Sequence, residues 1–370
     1  MSIIIFIIVL VVLILVHEIG HFIAAKRAGI KVLEFGIGFP PKIFSKKVGE
    51  TKYSLNWIPF GGFVKIFGED PSKESISGTE SHRSFVNKPK RIQALVIVAG
   101  VAFNMLLAVI LFSAGFFIGM PVSDNDPLVV NKGYEITNAK LTIVNILQGT
   151  PAENADLKAG DEILSVATRN DNVDILNPEN VSDFIASNEG EDIAFVYKRA
   201  GEVLLAEIVP ESSVVEGESE RVAIGMFIGT VGTLKLPILI ALIEGTKLTV
   251  SMTYIIAIAL GGFLLNMFTL SADLSQIAGP VGIVGLVGDA AKLGFVSLLN
   301  FTAIISIHLA LINSFPFPAL DGGRLVIILI EAIKKSPIKP KIVNAVNTIG
   351  FALLILLMLV VTYNDILKLF

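Results

Sequence analysis

The sequence predicts an α-helical polytopic membrane protein of about four transmembrane helices, with a membrane re-entrant β-hairpin and an inserted extracytoplasmic α+β domain. Three observations carry this prediction. Of the 370 residues, 53% are hydrophobic and only 17% charged, and the mean hydropathy is +0.74, values of a polytopic membrane protein rather than a soluble domain. The apolar residues are gathered into runs long enough to cross a bilayer. Between two such runs lies a polar, strongly acidic block, residues 121–235, of the length of one domain.

The first run, Ile3 to Ala25, would measure roughly 34 Å as a helix. It lacks the basic leader of a secretory signal, and its cations Lys26, Arg27 and Lys31 follow the apolar run, which suits a retained span with its N-terminus outside. Near its end stands Val16-His17-Glu18-Ile19-Gly20-His21, a HExxH motif. Residues four apart share a helix face, so His17 and His21 can present two imidazoles to one Zn²⁺, with Glu18 beside them as a candidate base. The alternative is a polar patch that satisfies itself within a bundle. Ionisable groups in hydrocarbon are costly, which favours the functional reading. The chain has no Cys, so a metal would be held by His and carboxylate alone. Only four His exist, at 17, 21, 82 and 308.

Residues 26 to 91 hold thirteen Lys and Arg against six acids, the mark of a cytoplasmic connection. Within it, Tyr53 to Ile66 is apolar and aromatic around Pro59-Phe60-Gly61-Gly62, which reads as a hairpin dipping toward the membrane. Non-helical backbone can do so only where protein or a wet cavity covers it; an ordinary surface hairpin is the alternative. A second span runs from about Ile92 to Gly119, with Asn104 its one strongly polar residue in mid-run; an Asn inside a span often just bonds a neighbouring helix. These elements make residues 1–120 an N-terminal membrane half.

In the acidic block, residues 121–235, Gly149-Thr150-Pro151-Ala152-Glu153-Asn154-Ala155-Asp156-Leu157-Lys158-Ala159-Gly160-Asp161-Glu162-Ile163-Leu164-Ser165-Val166 resembles the helix-and-turn stretch of a PDZ domain. Asp156 stands where that pattern has Gly, and no clear carboxylate-binding loop is visible. Residues 236–290 are apolar again but are interrupted by Glu244, Lys247 and Gly261-Gly262, and then by Gly279-Pro280-Val281-Gly282-Ile283. Residues 291–370 form a C-terminal membrane half: a span from about Phe295 to Phe315, then Asn313-Ser314-Phe315-Pro316-Phe317-Pro318-Ala319-Leu320-Asp321-Gly322-Gly323, a short basic loop and a last span from about Val343 to Val361.

A catalytic zinc usually takes three protein ligands. The candidates for the third are Asp321 and His308. Asp321 follows two helix-breaking prolines and precedes two glycines, an arrangement able to aim a carboxylate back into the bundle, and is favoured; His308 reads as a packing or hydrogen-bonding residue. Topology agrees. For Asp321 to reach the depth of His17, its helix too must run from outside to inside. A single crossing by 236–268 would put Lys334 to Lys341 outside, against the positive-inside rule. That stretch is therefore expected to be an interfacial or re-entrant helical segment.

The chain resembles the site-2 protease family of intramembrane zinc metalloproteases, and within it the regulator-of-sigma-E protease type. The resemblance rests on His17 to Phe22, Pro59 to Lys65, Phe85-Val86-Asn87-Lys88-Pro89, the PDZ-like stretch, Gly279 to Ile283, and the N-x-x-P-x-P-x-L-D-G-G run from Asn313. It implies Zn²⁺ on His17, His21 and Asp321, with Glu18 as catalytic acid/base. It implies that Asn313, Pro316 and Pro318 act near bound substrate, and that the hairpin with Gly61, Gly62, Phe63 and Val64 pairs with an unwound transmembrane substrate. The substrates implied are single-span membrane proteins, such as anti-sigma factors or signal-peptide remnants, in a bacterial inner membrane with both termini outside. Asn104 is a candidate oxyanion donor at the substrate. Three departures stand out: Gly100-Val101-Ala102-Phe103-Asn104 lacks the family's Pro, there is room for one PDZ domain where some relatives carry two, and His308 replaces an uncharged polar residue. A non-catalytic PDZ membrane receptor or chaperone, or a zinc transporter, are the competing readings; nothing points to nucleic acid.

Overall fold

The computed structural model describes residues 1–69, 73–199, 201–212, 222–268 and 279–367. The chain divides into two compact units, Met1–Gly115 with Ile238–Phe370, and Phe116–Pro237. In chain order the first contributes α1 (Ser2–Arg27), β1 (Val32–Val48), β2 (Thr51–Ile66), α2 (Lys73–Ser77) and most of α3 (Lys90–Ile118). Ile3, Ile4, Ile8 and Val12 of α1 are exposed, as expected of a helix whose outer face meets lipid rather than water.

The hairpin is more folded than the sequence implies. Phe35 is partnered by both Val64 and Tyr53, and Gly36 by both Phe63 and Ser54, while Ser45 and Lys46 of the same strand also pair with Ser54 and Tyr53. The first part of β1 thus lies between the two ends of β2, and segment 62–66 pairs only with residues 32–37. Its other edge has no sheet partner among the described residues. Exposed Phe39, Ile43, Phe44, Leu55 and Trp57 give this small sheet an apolar surface suited to a membrane. Its turn is tethered through Glu50, which accepts from Lys26 at 2.6 Å and pairs with Arg83 at 2.6 Å. Lys26 first, then Arg83, hold that carboxyl below its ordinary 4.5, so the tether is ionised at neutral pH and is lost only as pH falls through the lowered value.

The second unit contains β3 (Met120–Ser123), α4 (Pro127–Val130), β4 (Thr137–Ile146), α5 (Pro151–Asn154), β5 (Glu162–Ala167), α6 (Pro178–Ser187), β6 (Ile193–Arg199), β7 (Glu202–Ile208), β8 (Glu211–Ser212), β9 (Val222–Ala223) and β10 (Met226–Leu234). Six strands form one antiparallel sheet in the order β3-β10-β4-β5-β6-β7. Ile193, Phe195 and Tyr197 alternate inward along β6, the period of a half-buried strand. They meet Val181 and Ile185 of α6 in the core. That helix starts at Asn177, whose side chain accepts from the Asn180 N–H, with Pro178 in the first turn.

Asp156, the departure from the PDZ pattern, has φ +57°. The pattern's Gly serves this left-handed position, and Asp is among the few other residues that tolerate it. Its carboxylate then joins a cluster: Lys158 at 3.0 Å and Arg199 at 3.1 Å. Arg199 also donates twice to Asp161, at 2.7 and 2.6 Å, and Asp161 is 1% exposed. Removing the guanidinium would strand a buried carboxylate. Arg199→Met is therefore expected to destabilise this unit by about 3–5 kcal/mol, read as faster hydrogen exchange across β5 and β6 in the intact protein.

The remaining elements of the first unit are α7 (Ile238–Phe268), α8 (Pro280–Lys292), α9 (Phe295–Ser314), α10 (Asp321–Lys334) and α11 (Pro340–Leu367). Among the described residues five helices are long and apolar enough to cross a membrane: α1, α3, α7, α9 and α11. The stretch expected to be an interfacial or re-entrant helical segment is one continuous helix, α7, of 31 residues. The polar interruptions read from the sequence do not break it: Lys247 donates to Glu244 at 3.2 Å, three residues along, and a Cβ added at Gly261 or Gly262 would meet nothing within 4 Å. The Gly-Pro turn caps α8 instead of merely reversing the chain, because Asp365 near the end of α11 accepts from the N–H groups of Gly279 (3.0 Å) and Gly282 (2.8 Å). Val9 and Leu13 of α1 pack with Val287 of α8 and with Leu298, Phe301, Ile305 and Leu309 of α9.

Candidate metal centre and catalytic cavity

Two histidines one turn apart on α1 point the same way, and both are buried, 8% exposed each. Their Nε2 atoms lie 3.2 Å apart. Asp321 Oδ2 lies 3.0 Å from His17 Nε2 and 3.1 Å from His21 Nε2. The carboxylate arrives from 300 residues away because the chain after α9 folds tightly beneath the first turn of α10. A Cβ at Gly322 would sit 2.2 Å from the Phe315 carbonyl oxygen, and one at Gly323 2.1 Å from that of Phe317. Both glycines serve close approach of two backbones. Pro318 is packed in turn on α11, where a Cβ at Gly350 would meet it at 2.5 Å.

The floor of the centre is α3. His21 Nδ1 lies 2.8 Å from the Val96 carbonyl oxygen; since only an N–H can donate there, the Nε2 lone pair is left facing Asp321 and His17. A Cβ at Gly100 would lie 2.4 Å from His21 Nε2 and 2.8 Å from His17 Cε1, and one at Gly20 would lie 2.4 Å from the Ala99 carbonyl oxygen. Small residues on both helices thus let the imidazoles lie on the α3 backbone.

A cavity of about 220 Å³ opens on the centre, lined by His17, Glu18, His21, Phe63, Val64, Ile66, Glu69, Ile97 and Asp321. Gly62 packs on Ile14 and on Glu18, whose Cγ would be 3.3 Å from an added Cβ. The catalytic-acid candidate therefore stands between the histidine pair and the segment of β2 with the open edge. Other expected substrate contacts lie elsewhere. Asn313 is half-buried at the end of α9, Pro316 is exposed and Pro318 rests on Gly350; none of them lines the cavity. Gly61 is buried beside the Phe39 ring. Asn104 is fully buried, 0% exposed, behind His17 rather than in the cavity. His308 is exposed on α9, with Nδ1 2.9 Å from the Ile304 carbonyl oxygen. Glu69 was not singled out in the sequence; it lines the cavity and pairs with Arg324, one turn beyond Asp321.

The donor set fits zinc. The three facing ligand atoms are mutually 3.0 to 3.2 Å apart, close to the ~3.3 Å that a tetrahedral site with bonds of about 2.0–2.1 Å requires. Asp321 Oδ2 is buried without a hydrogen-bond partner, an arrangement a cation would satisfy.

A HExxH helix, a carboxylate supplied from the far end of the chain and a cavity among apolar helices define a metalloprotease of the membrane-embedded class. The chain belongs to peptidase family M50, the site-2 proteases: residues 5–357 match the family. It is 32% identical over 445 residues to the regulator of sigma-W protease RasP of Bacillus subtilis, covering 100% of this chain and 99% of the relative. It is 31% identical to the zinc metalloprotease RasP of Geobacillus kaustophilus, covering 100% and 98%. Among solved structures, the PDZ domain of the SdrC-like protein of Listeria innocua matches at 19% identity with a TM-score of 0.20, over 24% of this chain and 92% of that one. The protein is a multi-pass intramembrane zinc metalloprotease, as the sequence predicted.

Proposed function

We propose that His17, His21 and Asp321 hold the zinc, that Glu18 is the catalytic acid/base, and that the chain cuts single-span membrane proteins inside the membrane. The observation that carries this reading is the placement of Glu18 between the three converging ligand atoms and segment 62–66, which pairs on one edge only among the described residues. Zinc bound there would acidify a water and polarise the scissile carbonyl. Glu18 holds the proton of the attacking water and returns it to the leaving amine. Segment 62–66 takes up the unwound substrate as an added strand, replacing backbone hydrogen bonds lost from its helix. Asn313, Pro316 and Pro318 meet the substrate beyond the cavity.

This reading predicts that Val64→Pro, which removes a strand N–H and restrains the backbone, abolishes cleavage of a single-span substrate while bound zinc stays at one per chain. Cleavage at the wild-type rate by that variant would sink the strand-addition step.

The topology proposed is four crossings, by α1, α3, α9 and α11, in a bacterial inner membrane, with the PDZ-like unit and both termini outside. It is supported by the common direction of α1 and α9: Val9 and Leu13 meet Leu298 to Leu309, and His17 and His21 meet Asp321. If α1 enters from outside, α3 returns there and α9 starts there, so α7 and α8 make no net crossing. A cysteine at Asp289, which is exposed on α8, is expected to be labelled from outside only; cytoplasmic labelling alone would overturn the topology. The outer unit then excludes proteins with large ectodomains. The substrates proposed, by likeness to the sigma-W regulator, are anti-sigma factors already trimmed outside, and signal-peptide remnants.

A further inference from the structure

The structure gives the expected bond from Asn104 to a neighbouring helix a particular partner and purpose: we propose that its side-chain amide accepts the Nδ1–H of His17 and thereby orients that imidazole toward the metal. This rests on the proposed ligand set. An imidazole that binds a metal through Nε2 carries its proton on Nδ1, and that proton needs an acceptor. For His21 the acceptor is the Val96 carbonyl, 2.8 Å away. For His17 the Asn104 amide lies at Nδ1, 3.5 Å away. Val96 and Asn104 are eight residues apart on α3, hence close to the same face two turns along, so one helix meets the rear nitrogen of each imidazole.

The amide can present either of its ends. With Nδ2 toward His17 it would set a donor against a donor, and Oδ1 is then buried without a partner. Turned by half a rotation, the amide fills the same volume. Oδ1 then accepts from His17, which removes both defects. The placement also excludes the substrate-contact role expected from the sequence, because Asn104 is 0% exposed and does not line the cavity. Its position is fixed independently of the amide: Ser306 of α9, also 0% exposed, donates to the Asn104 backbone oxygen at 2.8 Å. Asn104 is therefore a positioning residue, acting on zinc through His17.

The test is zinc affinity, measured on the purified full-length protein by competition with a chromophoric chelator. Asn104→Ala is expected to weaken zinc binding about 10- to 100-fold. Asn104→Asp, which keeps an acceptor at the same place, is expected to stay near wild type. Ser306→Ala, which removes the interhelical bond but leaves the amide, is expected to bind zinc as wild type does. Wild-type affinity in Asn104→Ala overturns the proposal, as does an equal loss in Ser306→Ala, which would mean that helix packing alone is responsible. If Asn104→Ala does not accumulate as folded protein, Asn104→Asp decides: a tenfold loss in that folded variant overturns the proposal, and retained affinity upholds the acceptor. His17→Ala separates the underlying reading. Unchanged zinc in that variant rejects His17 as a ligand, and the role of Asn104 with it, whereas zinc lost in His17→Ala but kept in Asn104→Ala rejects the positioning role alone.

Discussion

Glu18→Gln is expected to keep one zinc per chain and to lose cleavage of a single-span substrate by about 10²–10⁴-fold. The substitution preserves shape and removes the proton acceptor. Glu18 is not among the atoms that converge on the metal site; those belong to His17, His21 and Asp321. It lines the same cavity on the side of Gly62 and Val64, where a carbonyl paired with segment 62–66 would lie. The contrast with Asp321→Ala makes the test specific, since that variant removes one of three ligands and should lose metal and cleavage together. If Glu18→Gln cleaves as fast as wild type while holding zinc, another group must take the proton, and Glu69, which lines the cavity too, becomes the first to examine.

The legible and illegible parts of this molecule differ in physical range. HExxH was readable because its meaning is local: a four-residue spacing puts two side chains on one helix face whatever surrounds it. Asp321 was readable because Pro316 and Pro318 break a helix and a carboxylate is rare at such depth. The PDZ-like block was readable from a long ordered pattern, and even its odd residue has a local cause, since Asp156 can adopt the left-handed conformation that the pattern's Gly supplies. What stayed hidden depends on contacts between distant segments. The doubling of the hairpin, which leaves 62–66 as an edge beside Glu18, follows from pairings that no periodicity announces. Asn104 stood out as the polar residue of its span, yet polarity could not say whether it faces a substrate or the back of an imidazole. The 236–268 stretch was legible as a helical segment, but not its continuity, because the two charges that interrupt its apolar run lie three residues apart and satisfy each other along the helix.

Gly100 is the residue whose importance was least visible, and Gly100→Ala is expected to cost zinc binding outright. The added methyl would lie 2.4 Å from His21 Nε2, 2.6 Å from His21 Cε1 and 2.8 Å from His17 Cε1, against an ordinary contact of about 3.5–4.0 Å. Relief requires roughly 1 Å of movement by both imidazoles or by the helices that carry them. The imidazoles cannot simply swing aside: His21 is held through Nδ1 by Val96, and both Nε2 atoms face Asp321. The helices cannot simply part, because Gly20 rests on the Ala99 carbonyl at a distance no Cβ could share, and moving α3 away would also withdraw the Val96 acceptor. Displacement of that size at a metal centre costs coordination rather than a fraction of rate. Zinc content of purified Gly100→Ala should therefore fall toward that of Asp321→Ala. A second substitution separates crowding from general damage: Ala99→Gly adds no volume beside the imidazoles, and is expected to retain zinc. Full zinc occupancy in Gly100→Ala would mean that α1 and α3 can separate without cost, and the close crossing of these helices would then not be what shapes the site.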